Sequence, residues 1–74
     1  MANEGHIGNK LRKLRFEHNE MTQQELADRV GVTRQTIIAM EKGKYSPSLK
    51  LAFLIARAFT TPLEEVFFYQ EKEG

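Results

Sequence analysis

The feature that most constrains the fold of this chain is a pair of short helices separated by one tight turn. The pair occupies residues 23–42, which read QQELADRVGVTRQTIIAMEK. Two helices that cross steeply need a small residue where they approach and a turn residue that accepts a positive φ, and Ala27 and Gly31 meet these needs. The inward positions of both helices are apolar: Leu26, Val30, Val32, Ile37 and Met40.

Polar residues set the ends of both helices. Thr22 and Glu25 have the spacing of a capping box, in which each side chain bonds to the backbone amide of the other residue. Gly31 ends the first helix, because glycine takes the left-handed conformation at little steric cost. Thr33 is the predicted N-cap of the second helix, which covers residues 34–42.

A further helix is predicted over residues 9–18, because Leu11 and Leu14 recur at helical spacing and Ile7 can extend the same face. Asn19 is its predicted end, since asparagine tolerates the left-handed conformation. The helix carries a basic block with no acid inside it: Lys10, Arg12, Lys13 and Arg15.

Two more helices follow the central pair. The fourth is predicted to begin after Ser48, with Ser46 as the other candidate cap. The fifth begins at Thr61 and Pro62, interpreted as its cap and its first helical residue. Five apolar residues of the fourth helix recur at helical spacing and are predicted to face the core: Leu51, Leu54, Ile55, Ala58 and Phe59.

The distribution of charge is more informative than the net charge, which is only +1. Between residues 34 and 57 the single acid is Glu41, against the bases Arg34, Lys42, Lys44, Lys50 and Arg57. The end of the chain reverses the sign, with Glu64, Glu65, Glu71 and Glu73 against Lys72. This asymmetry indicates one face turned towards an anion, and a mixed solvated surface is the alternative.

Composition excludes several classes of protein. There is no cysteine, so disulfides and thiolate metal sites are excluded, and His6 and His18 lack the spacing of a zinc site. The sequence has no glycine-rich phosphate loop and no nucleophile beside a base, so we expect no enzyme and no cofactor. The chain has no apolar run of the roughly 18 residues that span a membrane and no signal peptide, so we expect a cytoplasmic protein.

Residues 23–42 resemble the helix-turn-helix of the Cro and phage-repressor type, often called the Xre family. Arg15 and the stretches EKGKYSPSL (residues 41–49) and TPLEEVF (residues 61–67) also match the pattern of that family. The resemblance covers residues 9–67 and extends to short stand-alone repressors of the cytolysin-operon type.

The resemblance implies an all-α, five-helix domain of the lambda-repressor type, single over residues 1–74. In similar proteins the C-terminal segment can pair with a short N-terminal strand, and residues 5–8 around Ile7 are suited to that role. Two departures from the pattern stand out. The loop from His18 to Met21 is about one residue longer than usual, and Thr60 stands where the family often has glycine or asparagine.

In this family the second helix of the motif enters the major groove of DNA and reads base edges. Arg34, Gln35, Ile38 and Ala39 share its outward face and are the predicted base-reading residues. Arg34 suits guanine, Gln35 suits adenine, and the methyl groups of Ile38 and Ala39 suit thymine. The alternative for Ile38 is that it packs on a neighbouring helix.

Phosphate contacts are expected to frame this face. Gln23 lies at a helix N-terminus, where free amides favour an anion, and the resemblance also places it on phosphate. Further candidates for phosphate contact are Thr33, Thr36, Lys42, Lys44 and Tyr45. The family often joins the positions of Arg15 and Glu41 in a partly buried ion pair, and two independent surface charges are the alternative.

The aromatic end of the chain is the predicted dimer interface. Leu63, Val66, Phe67, Phe68 and Tyr69 supply more apolar surface than so small a core can hide, and such a patch usually marks association. The alternative is that these residues only cap the core of a monomer. Residues 67–69 favour a strand, with an extension of the fifth helix as the other reading.

Together these features predict a transcriptional regulator, most simply a repressor that binds a palindromic operator as a homodimer. The same fold also serves as a protein adaptor or an antitoxin. Acidic residues on the outward face of the second helix would favour that rival, and this face has none.

Overall fold

The computed structural model describes residues 5–71, which form five helices and a two-stranded sheet. The elements in chain order are β1 (His6–Asn9), α1 (Leu11–Glu17), α2 (Gln23–Val30), α3 (Arg34–Glu41), α4 (Leu49–Ala58), α5 (Leu63–Val66) and β2 (Phe67–Gln70). The predicted five-helix fold and its added pair of strands are therefore confirmed. The residues before Gly5 and the predicted charges at Lys72 and Glu73 lie outside the described range. Within that range, no helix has the length and apolar character needed to cross a membrane.

The capping box at the start of α2 forms as predicted. The Thr22 hydroxyl accepts from the Glu25 amide at 3.0 Å, and the Glu25 carboxylate accepts from the Thr22 amide at 2.8 Å. A cap of this kind contributes about 1 kcal/mol to helix stability. Gly31 ends α2 with a φ of 78°, the left-handed conformation expected of it.

The predicted caps of α3 and α4 are also confirmed. Thr33 accepts from the Thr36 amide, and Ser48, rather than Ser46, accepts from the Leu51 amide. Gly43 follows α3 with a φ of 75°, which turns the chain into the loop that leads to α4.

The predicted start of α1 is wrong by two residues. Asn9 belongs to β1, and its side chain accepts from the Leu11 amide at 3.1 Å and donates to the Met40 carbonyl at 2.8 Å. The Lys10 amide donates to the Val66 carbonyl, so the chain is held at the end of α5 until Leu11. At the other end, His18 is the C-cap, and the left-handed residue predicted at Asn19 is followed by a second one at Glu20.

The predicted cap of α5 is wrong as well. Thr61 does not cap this helix: its hydroxyl donates to the Phe59 carbonyl at 2.9 Å. Pro62 is the N-cap and has no side-chain capping bond. The hydroxyl is used at the end of α4 instead, where helix carbonyls lack partners.

One core surrounded by α1, α2, α3, α4 and α5 contains the buried apolar side chains. The largest of them are under 2% exposed: Phe59, Leu11, Leu26, Ile37, Met40, Ile55 and Val66. The prediction that Leu54 faces this core is wrong, since 39% of it is exposed. Ala52 and Ala56 are buried in its place, because their small side chains let α4 approach its neighbours closely.

The two strands are antiparallel and bring the ends of the described chain together. Ile7 lies opposite Tyr69, and Gly8 lies opposite Phe68. The Phe68 ring covers Gly8 so closely that a Cβ at that glycine would collide with it. A side chain at position 8 would therefore require the Phe68 ring to move.

His18 joins the ends of α1 and α4. Its Nδ1 lies 2.8 Å from the Leu14 carbonyl and its Nε2 lies 3.0 Å from the Phe59 carbonyl, while its ring meets the Phe59 ring edge-on. Since both oxygens only accept, a neutral imidazole satisfies one of them and the imidazolium satisfies both.

Thr60 ends α4 in a left-handed conformation with a φ of 52°. Its amide donates to the Arg57 carbonyl, and the next amide donates to the Ala56 carbonyl, which closes the helix end. A β-branched residue pays a steric cost in this conformation that glycine or asparagine largely avoids.

We therefore expect Thr60→Asn to raise the free energy of unfolding by about 1 kcal/mol, the order of the left-handed penalty. Urea denaturation of the purified protein measures this as a higher midpoint. Thr60→Val is the matched control, because it removes the hydroxyl and keeps the strain. An unchanged midpoint for Thr60→Asn would show that Thr60 is not strained.

Candidate nucleic-acid interface

Helix α3 has one side in the core and one side open to solvent. Ile37 and Met40 are 0% and 1% exposed and fix the rotation of the helix about its axis. That rotation leaves Arg34, Gln35 and Lys42 exposed on the opposite side. The outward surface of α3 is therefore set by core packing and does not depend on a ligand.

Ile38 and Ala39 lie on the same outward side but are half-buried. Ile38 forms part of the wall of an open groove between α3 and α1. The structure thus brings together the four predicted base-reading residues on one surface, with the two apolar ones more covered than the two polar ones. The two readings of Ile38 are compatible, since it borders α1 and keeps part of its surface open.

Arg15 of α1 and Glu41 of α3 form a bidentate ion pair. Arg15 Nε lies 2.7 Å from Glu41 Oε2, and Nη2 lies 3.1 Å from Oε1. Arg15 Nη1 also donates to the Met21 carbonyl at 2.8 Å. The two side chains are only 14% and 11% exposed, so solvent screens the pair weakly.

Gln23 is connected to this ion pair. Its Nε2 donates to Glu41 Oε1 at 3.2 Å, so one carboxylate holds both Arg15 and the first residue of α2. The second amide hydrogen and the amide oxygen of Gln23 have no bonding partner among the described residues. The side chain predicted to bind phosphate is therefore fixed in position with a donor to spare.

The other candidates for phosphate contact are placed around α3. Thr33 and Thr36 lie in its first turn, where their hydroxyls are 3.1 Å apart. Lys44 and Tyr45 follow its end and are exposed, with 47% of Tyr45 accessible. These residues lie in the first turn of α3 or directly after its end in the chain, and phosphate contacts around a base-reading helix are expected from such positions.

The groove between α1 and α3 contains residues that the sequence reasoning did not assign to the site. We call it the α1 groove, and it is lined by Arg12, Lys13 and Phe16 of α1 together with Ile38 and Lys42. The basic block in the sequence was the available signal. What the sequence did not show is that α1 lies alongside the C-terminal half of α3.

The structure corrects one residue of the predicted dimer interface. Val66 is 0% exposed and belongs to the monomer core, so it does not contact a partner directly. Leu63 and Phe67 are half-buried against the same core. Phe68 and Tyr69 keep 39% and 45% of their surface exposed.

Comparison with known proteins gives one family. The sequence model of the helix-turn-helix family matches residues 11–66. An uncharacterized helix-turn-helix transcriptional regulator of Methanocaldococcus jannaschii is 57% identical over 65 residues, which cover 88% of this chain and 97% of that protein. The cryptic phage CTXphi transcriptional repressor RstR of Vibrio cholerae is 36% identical over 60 residues, covering 81% of this chain and 53% of that repressor.

A solved structure of another protein has the same fold as this chain. The transcriptional regulator VanUg superposes with a TM-score of 0.73 at 15% identity, over 97% of this chain and 93% of that one. At this level of identity the likeness concerns the fold alone.

We expect Arg15→Ala to lower the free energy of unfolding by about 2–4 kcal/mol, because it leaves the Glu41 carboxylate shielded from water without its cation. Replacing both partners, as Arg15→Met with Glu41→Leu, should recover part of this loss. Urea denaturation of Arg15→Met, Glu41→Leu and the double variant completes the cycle.

The exposed pair formed by Gln24 and Asp28, 2.9 Å apart, provides the control. Asp28→Ala should change stability by less than about 0.5 kcal/mol, as exposed polar pairs contribute little. Strict additivity of the Arg15 and Glu41 variants would contradict the coupling.

Proposed function

We propose that this chain, which belongs to the helix-turn-helix family, is a transcriptional regulator that binds double-stranded DNA in a sequence-specific manner and acts as a repressor. The observation that carries the proposal is the outward face of α3. It presents Arg34 and Gln35 to solvent, Ile38 and Ala39 beside them, and no acidic side chain. The relatives named above are regulators rather than enzymes, so no catalytic role is proposed.

In this proposal α3 lies in the major groove with its first turn nearest the bases. Arg34 donates two bonds to guanine O6 and N7, and Gln35 pairs with adenine N6 and N7. Ile38 and Ala39 contact thymine methyl groups. Each bidentate contact discriminates against the wrong base by about 1–3 kcal/mol.

Phosphates on either side of the groove are bound by residues that surround this face. Gln23 and the free amides at the start of α2 form one contact, supported by the bond that fixes the Gln23 side chain on Glu41. Thr33, Thr36 and Lys42 supply others, and Lys44 with Tyr45 extends the set beyond α3. These contacts give the affinity that does not depend on sequence.

Selection of bound sequences from a pool of random duplexes tests the proposal. We expect one short motif to be enriched and log K to fall steeply with log salt. Arg34→Ala and Gln35→Ala should each relax the preference at one base pair and cost about 1–3 kcal/mol on the selected site. Their exposure predicts that both variants keep the stability of the wild type.

Ile38→Ser tests the apolar contact proposed for α3, as Arg34→Ala and Gln35→Ala test the polar ones. We expect it to weaken binding to the selected site more than binding to random DNA, because a thymine methyl contact exists only in the former. No enriched motif, together with unchanged binding of Arg34→Ala and Gln35→Ala, would contradict a DNA-reading α3. An acidic protein bound by the same face would then be the better reading.

We further propose that the repressor binds a palindromic operator as a homodimer. One recognition helix reads few base pairs, and a second copy related by a two-fold axis places another about 34–36 Å away along the duplex. The ribbon of β1 and β2 supplies the surface, since Ile7, Phe68 and Tyr69 are all partly exposed on it. Exposed apolar surface of this kind favours association.

Sedimentation of the free protein measures the dimer. Phe68→Thr retains strand propensity and should shift the chain to the monomer, because it removes the largest apolar side chain on the outer face of the ribbon. Phe53→Ser is the comparison variant, since this ring of α4 is 50% exposed and lines a depression with Leu63 that contains no residue of the ribbon. Dissociation by Phe53→Ser alone would place the interface on α4 instead.

A further inference from the structure

The α1 groove is more basic than the ion pair beside it requires. Its walls carry the cations of Lys10, Arg12, Lys13, Arg15 and Lys42 and a single carboxylate, that of Glu41. Glu41 is already paired with Arg15. Within residues 5–71 the remaining four cations have no acidic partner in ion-pair contact, so the groove has an excess of positive charge.

Phe16 is the other unusual feature of the groove. It lines the opening and is 69% exposed, although an aromatic ring gains stability only when it is buried. Leu11 and Leu14 of the same helix are buried, so Phe16 lies on the side of α1 that the fold leaves open. An exposed aromatic ring among cations is the combination that nucleic-acid surfaces use, because the ring packs on sugars or bases while the cations bind phosphates.

The α1 groove is continuous with the surface proposed to read DNA. Ile38 and Lys42 of α3 form one of its walls, and Gln23 of α2 lies at its end. On the far side of Gln23, a shallow depression is lined by Gln24 and Arg34, so one uninterrupted surface runs from α1 to the first turn of α3.

We propose that the α1 groove is a second DNA contact, which binds the sugar-phosphate backbone flanking the base pairs read by α3, with Phe16 packed on a deoxyribose. This inference rests on the proposed function. It adds to that function a longer stretch of contacted DNA, so that affinity depends on the length of the flanking duplex. In this arrangement α3 selects the sequence and α1 adds affinity that does not depend on sequence. Excess positive charge and continuity with the outward face of α3 favour DNA as the occupant.

The test compares two duplexes that share the same selected core. One ends at the core, and the other extends it by about half a helical turn, or five base pairs, on each side. Three variants with exposed substitutions are measured against the wild type: Arg12→Ala combined with Lys13→Ala, Phe16→Ser, and the control Arg57→Ala on α4. Affinities are taken over a range of salt concentrations, and thermal melting verifies that each variant is folded.

On the extended duplex, we expect the double variant to reduce the slope of log K against log salt by about 2, because each phosphate contact contributes about 0.9. Phe16→Ser should lower affinity several-fold there with the slope unchanged, since a sugar contact releases no counterion. On the core duplex all variants should bind like the wild type, and Arg57→Ala should do so on both. The preferred bases in the core should be the same for every variant.

If the α1 variants bind the extended duplex with the affinity of the wild type, the flanking contact is overturned. The proposal of sequence-specific binding by α3 would remain intact. Equal losses on both duplexes would also overturn it, by placing α1 inside the core site. If no core is selected at all, the proposed function fails first. Retention of an acidic peptide by the groove, with DNA binding unaffected by the α1 variants, would assign the groove to a protein.

Discussion

The relative position of α1, α2 and the end of α3 depends on one guanidinium group. Arg15 binds the Glu41 carboxylate in a bidentate manner and the Met21 carbonyl through its remaining nitrogen. These bonds join α1, the loop before α2, and the last residue of α3, and the same carboxylate holds Gln23. A bidentate guanidinium contact restricts direction as well as distance, so it fixes how α1 and α2 lie against the end of α3.

Such a pair contributes more to arrangement than to net stability. Removing two charges from water costs several kcal/mol, and their attraction offsets that cost only when geometry and hydrogen bonding are good. Apolar packing in the core would not by itself specify how α1 lies relative to the end of α3, because apolar contacts have no direction. We infer that the pair keeps the α1 groove, Gln23 and the outward face of α3 in one register, and that the core supplies the stability.

The elements that could be predicted from sequence are those determined by neighbours in the chain. The capping box at Thr22 and the left-handed turn at Gly31 involve residues at most a few positions apart, so their signals are local. The start of α1 was mispredicted for the opposite reason, because Asn9 donates to the distant Met40 carbonyl and the Lys10 amide donates to the distant Val66 carbonyl. The cap of α5 was mispredicted although its signal is local, because the Thr61 hydroxyl has two local uses and bonds to the Phe59 carbonyl rather than to an amide of α5.

The same distinction applies to the candidate site. The outward face of α3, which is predicted to read bases, follows from helical spacing, since Ile37 and Met40 in the core fix which residues point outward. The α1 groove does not follow from spacing, because its two walls are 26 residues apart in the chain at Arg15 and Glu41. A basic block such as that of α1 indicates a surface suited to an anion, but only the position of α1 beside Ile38 and Glu41 shows that this surface continues onto α3.

The proposed division between sequence reading and backbone binding also gives a physical reason for the proposed homodimer. Two bidentate contacts at about 1–3 kcal/mol each give one helix roughly 2–6 kcal/mol of discrimination. A genome offers on the order of a million or more competing sites, and a factor of a million corresponds to about 8 kcal/mol. Phosphate and sugar contacts cannot close this gap, because they strengthen binding to every site alike. Doubling the reading helices, as the proposed homodimer does, raises the range to roughly 4–12 kcal/mol, whose upper half reaches the required value without enlarging a core as small as this one.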